Sequence, residues 1–121
     1  PFDQTRSLSD EGYARLHAAC REILLEWAER IRTERAGEFP REVTAFRDGM
    51  AVHGRYGKPC PDCGTEVQRI RYAENECNYC PRCQVGGRVY ADRALSRLLK
   101  GDWPSRIEEL EGQHGGGKAA E

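Results

Sequence analysis

Two short repeats constrain this chain more than anything else in it: Cys60-Pro-Asp-Cys63 and Cys80-Pro-Arg-Cys83, with sixteen residues between them. Two cysteines three apart on a tight turn can aim both sulfurs at one ion. A gap of this size falls in the window of paired C-x-x-C metal sites. The sequence between the pairs supplies the fold that would close the site. In "EVQRIRY", Val67, Arg69 and Arg71 alternate with Gln68, Ile70 and Tyr72, which is strand alternation with β-branched and aromatic content. "AENE" (73–76) reads as the turn, and the chain returns through Asn78 and Tyr79. Such a hairpin folds the second cysteine turn back onto the first.

Cys60, Cys63, Cys80 and Cys83 are therefore the expected metal ligands. The expected ion is one Zn²⁺, and four sulfur ligands leave it no open coordination position, so its role is structural. In so small a module it supplies much of the folding free energy. A redox pair would need one C-x-x-C beside a βαβ pattern, which is absent. An iron–sulfur site could use four cysteines, but paired C-P-x-C turns around a hairpin favour zinc. Two cysteines remain. Cys77 makes an overlapping C-x-x-C with Cys80 but lacks the proline turn, so it reads as a spare thiol on the returning strand. Cys20 lies on an apolar stripe and reads as a packed core thiol.

That stripe belongs to a long helix expected over Ser9–Glu34. Ser9 is a good N-cap, Asp10 and Glu11 suit the positive end of the dipole, and Gly37 is the expected stop. Tyr13, Leu16, Cys20, Ile23, Leu24, Trp27 and Ile31 follow at steps of three and four along one face. Residues 39–59 read as a connector ending in a basic, glycine-punctuated loop. "RVYADRALSRLLK" reads as a short helix, with Ala91, Ala94, Leu95, Leu98 and Leu99 inward and Arg93, Arg97 and Lys100 outward. "DWPSRIEELE" reads as one or two further turns, and "GQHGGGKAAE" as a disordered tail. The expected fold class is small α+β: a helical N-terminal part (1–50), a zinc-ribbon hairpin (51–86) and a helical extension with its tail (87–121).

At 121 residues the chain has room for one domain or two very small ones. No apolar run approaches the ~18 residues of a membrane span, and Pro1–Leu8 carries no signal-peptide pattern, so a soluble intracellular protein is expected. The formal charge of -1 hides a pattern. Residues 1–44 carry 7 Lys/Arg against 9 Asp/Glu, residues 45–100 carry 10 against 6, and residues 101–121 carry 2 against 5. Only the middle third can face a polyanion.

The order of these parts adds a resemblance. "LSDEGYARLHAACREIL", then "VHGRYGKPCPDCGTEVQRIRY" and "NYCPRCQ", resembles the C-terminal part of formamidopyrimidine-DNA glycosylase and endonuclease VIII, from about Leu8 to Gln84. The resemblance implies the end of a helix-two-turn-helix domain leading into a zinc finger. It also implies a parent that is a base-excision glycosylase and AP lyase acting on oxidised bases from the bacterial cytoplasm, at the nucleoid. In that family an N-terminal proline and the glutamate beside it carry the chemistry. Here Phe2 follows Pro1, so Pro1 reads as an accident of where the chain begins, and this chain is expected to be inactive alone. The family carries an arginine five residues before the third cysteine, at the hairpin tip. This chain has Asn75 there.

The expected partner is double-stranded DNA, damaged or abasic, with a catalytic domain as a further one. The expected phosphate contacts are Arg55 and Lys58 in the loop, Arg69 and Arg71 on the hairpin, and Asn75 at its tip. Contacts of this kind position a duplex without reading its bases. His53 reads as a packed or surface residue. The competing reading is a stand-alone zinc-ribbon module for protein–protein contact, docking through the apolar face of the long helix.

Overall fold

Ser9 opens the longest element as its sequence requires: its hydroxyl accepts from the Gly12 N–H at 3.1 Å, capping helix α1 (Asp10–Arg35). In the computed structural model, which describes residues 3–39, 41, 46–92, 97–99 and 101–115, α1 is preceded by a 3-10 turn, Thr5–Ser7. The Tyr13 hydroxyl donates to the Thr5 carbonyl across that entry. The stop falls one residue before the expected glycine. Ala36 takes the left-handed conformation (φ 48°) and its N–H returns to the Thr33 carbonyl.

The chain divides between residues 45 and 46 into two compact units. The first contains α1, and α1 has no buried residue. Leu16 and Ile23 are each 50% exposed and Leu24 71%. Cys20 is exposed, so the expectation of a packed thiol is corrected. The helical period is correct, but among the described residues of this unit no second layer covers the stripe.

The second unit is built on an antiparallel hairpin, β1 (Gln68–Tyr72) and β2 (Asn75–Tyr79), paired Gln68 to Tyr79, Ile70 to Cys77 and Tyr72 to Asn75. The turn is only Ala73-Glu74, with Ala73 at φ 51°. Asn75 and Glu76, expected in the turn, are therefore strand residues. A short helix α2 (Pro81–Val85) follows, and a terminal helix α3 (Ile107–Gly115) ends the described chain. The fold is small α+β, helices with a two-stranded hairpin.

Its core centres on the cysteine turns: Cys60, Val67 and Cys80 are buried together, with Val52 packed against them. Val67 is fully buried, a burial that stabilises by about 1.5–3 kcal/mol.

The segment after the finger departs from expectation. Residues 88–92 are not helical; Arg88 forms an isolated antiparallel bridge with Arg106, and the Val89 N–H donates to the Ser105 carbonyl at 2.9 Å. Backbone pairing here outweighs the helical period. Leu98, expected inward, is 77% exposed. Val89 and Ile107 are buried here, and the Trp103 indole N–H donates to the Val89 carbonyl. α3 continues to Gly115, into the stretch expected to be disordered. Pro1, Phe2, Arg93, Ala94, Leu95, Lys100 and residues 116–121 lie outside the described residues.

Candidate metal centre and nucleic-acid face

Each cysteine turn is fixed by its own backbone bonds. In the first, the Cys60 N–H donates to the Thr65 carbonyl at 2.8 Å and the Gly64 N–H to the Cys60 carbonyl at 2.9 Å. In the second, Cys80 is the N-cap of α2 and its sulfur accepts from the Cys83 N–H at 3.4 Å. The Cys80 N–H donates to the Gln84 side chain at 2.8 Å, a return bond from one residue beyond the position a capping box uses. Pro81 fits the first helical position, where no N–H is needed. The proline of the second C-P-x-C is thus the start of a helix.

The hairpin brings the two turns together. The sulfurs of Cys60, Cys63, Cys80 and Cys83 all lie within 4.8 Å of one another, with Cys63 and Cys80 at 3.4 Å. Tetrahedral Zn–S bonds of about 2.3 Å set sulfurs roughly 3.8 Å apart, so the cluster has the size the ion needs. Cys60 and Cys80 are buried, while Cys63 and Cys83 face outward. Hydrogen bonds from the Thr65 side chain and N–H bring the Cys63 thiol down to about 6. The Cys63 and Cys80 sulfurs push Cys83 up to about 12, and burial pushes Cys80 up. Negative charge therefore concentrates on Cys63 until a cation shares it among all four. The set is soft, compact and closed, which suits a structural Zn²⁺ and leaves no position for a substrate. Cys77 lies on β2 opposite Ile70, outside the cluster.

The candidate DNA residues fall into two groups. Arg69, Arg71, Glu76 and Asn78 share one hairpin face, because Arg69 lies opposite Asn78 and Arg71 opposite Glu76. Arg69 is laid over the Tyr56 ring at 4.1 Å, a cation–π contact that ties this face to the loop before the first cysteine turn. Glu76 forms ion pairs with both arginines: its Oε2 is 3.3 Å from Arg71 Nε and 3.6 Å from Arg69 Nη1. Asn75, opposite Tyr72, belongs to the other face and is exposed.

In the loop, Lys58 is exposed, whereas Arg55 is half-buried and donates to the Pro59 carbonyl at 3.0 Å. Both line a polar cleft of about 210 Å³ with Phe46, Arg47, Asp48 and His53. His53 is exposed and stacks on Phe46 at 4.8 Å. The residues that sequence reasoning missed are Glu76, Asn78, Tyr56 and Thr65. A two-residue turn would have revealed Glu76, since it alone sets Glu76 opposite Arg71.

Two C-P-x-C turns closed by a two-stranded hairpin, with four converging sulfurs, define a zinc-ribbon finger. Residues 57–85 match the family described as "Zinc finger found in FPG and IleRS". The chain is 39% identical over 100 residues to an uncharacterized formamidopyrimidine-DNA glycosylase-like protein of Mycobacterium tuberculosis, covering 83% of this chain and 61% of that one. It is 37% identical over 91 residues to the formamidopyrimidine-DNA glycosylase of Thermus thermophilus, covering 72% and 34%. Over 94 residues it is 36% identical to that of Symbiobacterium thermophilum, covering 69% and 28%. The chain resembles part of a formamidopyrimidine-DNA-glycosylase-like protein and carries the zinc finger found in FPG and IleRS, whose four cysteines suit one structural zinc ion. It spans less than two thirds of the length of these relatives. No solved structure matches it. No helix among the described residues is long and apolar enough to cross a membrane.

Proposed function

We propose that this chain is the duplex-gripping, zinc-stabilised part of a formamidopyrimidine-DNA-glycosylase-like repair protein. In this reading Cys60, Cys63, Cys80 and Cys83 hold the ion, and the helical residues 1–50 supply the end of a helix-two-turn-helix domain. Arg69 and Arg71 meet DNA phosphates from the hairpin face, with Lys58 and Arg55 beside them in the loop and Asn75 next to the turn. The whole protein removes oxidised bases and cleaves abasic sites, and the residues of this chain contribute the grip. Damaged or abasic duplex is its partner, together with the catalytic domain, in a bacterial nucleoid.

The observation that carries the reading is the pairing of a closed metal site with a hairpin face that presents two guanidiniums, Arg69 steadied on Tyr56. A closed zinc has no chemistry to offer beyond rigidity. Rigid cations at a fixed spacing suit phosphates, which fix the register of a duplex without reading sequence.

The test is fluorescence anisotropy of the zinc-loaded chain on a duplex carrying an abasic-site analogue and on an undamaged one, each at two salt concentrations. Salt-sensitive binding is expected, with the abasic duplex preferred. Equal binding to both would remove lesion preference and leave a backbone clamp. No binding to either would sink the DNA reading in favour of a protein-docking module using the exposed apolar face of α1.

A further inference from the structure

The hairpin face carries a built-in competitor for phosphate. Glu76 sits where one carboxylate reaches both Arg69 and Arg71. It is held in place from the other side: Asn78 Nδ2 donates to its Oε1 at 3.0 Å, and Asn78 Oδ1 accepts from the Gly54 N–H at 2.8 Å. The carboxylate is thus bound through both oxygens, in a network running from the loop to the hairpin. Its side chain is 31% exposed, and those of Arg69 and Arg71 are 36% and 64% exposed. All three are open to solvent, so the pairs can exchange with an anion.

We propose that Glu76 is a specificity-determining residue of the DNA face, an internal stand-in for phosphate. This rests on the DNA-gripping reading given above. The carboxylate marks the spot between the two guanidiniums where a phosphate docks, and it must be displaced for that docking to happen. A phosphate that reaches only one arginine replaces half of what Glu76 already supplies and gains little. A phosphate in register with both replaces all of it, because a backbone phosphodiester carries the same single negative charge and two free oxygens as the carboxylate. Glu76 therefore weakens loose, unregistered contacts more than registered ones, as an opposing element should in a specific interface. It also removes one cation's worth of attraction from the free face.

The test uses the zinc-loaded full chain and the variants Glu76→Gln and Glu74→Gln, each checked for one zinc per chain. Glu74 lies in the turn, two residues away, so its substitution removes the same charge without touching the network. Anisotropy on an undamaged duplex and on one carrying an abasic-site analogue is measured across a salt series. Glu76→Gln is expected to bind roughly two- to tenfold tighter at low salt, the release of two exposed ion pairs. Its slope of log K against log salt steepens by about one unit, and its preference for an abasic duplex narrows. Glu74→Gln is expected to stay within about twofold of the parent. If the parent binds and Glu76→Gln matches it in affinity and slope, the inference is overturned while the DNA reading stands. An equal gain in both variants overturns it too, since bulk charge would then suffice. Binding by Glu76→Gln alone, with none by the parent, supports it. Absence of binding by all three overturns the DNA reading and this inference with it.

Discussion

The Tyr79 hydroxyl accepts a hydrogen bond from the Tyr90 N–H at 2.8 Å, so the last residue of the hairpin holds the chain that leaves the finger. The two rings also meet edge to face, centroids 5.9 Å apart. Tyr79 is fully buried, and around it the exit segment pairs with the residues leading into α3. Arg82, on the second cysteine turn, pairs with Glu108 and Glu111 of α3 at 3.4 and 2.8 Å. The extension is thus packed onto the finger.

Tyr79→Phe keeps the ring and removes the acceptor. Leaving a partly buried N–H without it costs about 1–3 kcal/mol. The expected result is a lower urea midpoint with zinc still bound at one per chain, and faster hydrogen exchange at the Tyr90 amide. Unchanged exchange at Tyr90 would mean that the hydroxyl does not hold the segment.

The metal set separates cleanly from the other thiols. Substituting serine for Cys60, Cys63, Cys80 or Cys83 is expected to lose stoichiometric zinc and the hairpin with it, because the core beside the site consists of Cys60, Val67 and Cys80. Cys77→Ser and Cys20→Ser should keep one zinc per chain, since neither sulfur belongs to the cluster. Metal analysis of the purified variants decides, and zinc loss in Cys77→Ser would redraw the ligand set.

The metal site was legible because its spacing is a chemical requirement: two C-P-x-C turns and a hairpin-length gap fit one tetrahedral ion. The cap at Ser9 was legible for the same local reason. What the sequence hid depended on register. "AENE" reads equally as a four-residue turn or as a two-residue turn with two strand residues, and only the second puts Glu76 opposite Arg71. The stripe on α1 has a real helical period, but period says which residues share a face and not whether anything covers it. After the finger, the period in "RVYADRALSRLLK" lost its first part to long-range pairing of Val89 with Ser105, which no local pattern announces.

Zinc uptake should release protons in proportion to the thiols it ionises. Cys63, held at about 6 by Thr65, enters already ionised at neutral pH. Cys80 is raised by burial and Cys83 is pushed up to about 12 by its sulfur neighbours, so both must lose a proton to bind. The sign follows: each displaced proton makes zinc affinity rise with pH, and acidification favours release. Titrating zinc into the metal-stripped chain in weak buffer at pH 7.5 should therefore acidify the solution by about two protons or more per ion. An uptake without acidification would show that all the ligands are already thiolates. Thr65→Val should raise the Cys63 thiol and increase the proton count.

Gly54 and Gly57 flank the loop that carries Arg55, and they should differ in what a methyl group costs. Both have left-handed backbones, φ 69° and 75°, so alanine at either costs about 1–2 kcal/mol in conformation alone. At Gly57 the new Cβ meets nothing within 4 Å. At Gly54 it would lie 2.9 Å from Phe46 Cδ1, on the ring that stacks against His53. The same residue's N–H donates to Asn78 and so anchors Glu76. Gly54→Ala is therefore expected to lower stability by about 1 kcal/mol more than Gly57→Ala. It should also partly reproduce the tighter DNA binding of Glu76→Gln, by loosening the network that holds the carboxylate. Chemical denaturation of the two zinc-loaded variants, followed by anisotropy, tests both parts. Equal losses at the two positions would show that the Phe46 ring moves aside at no cost.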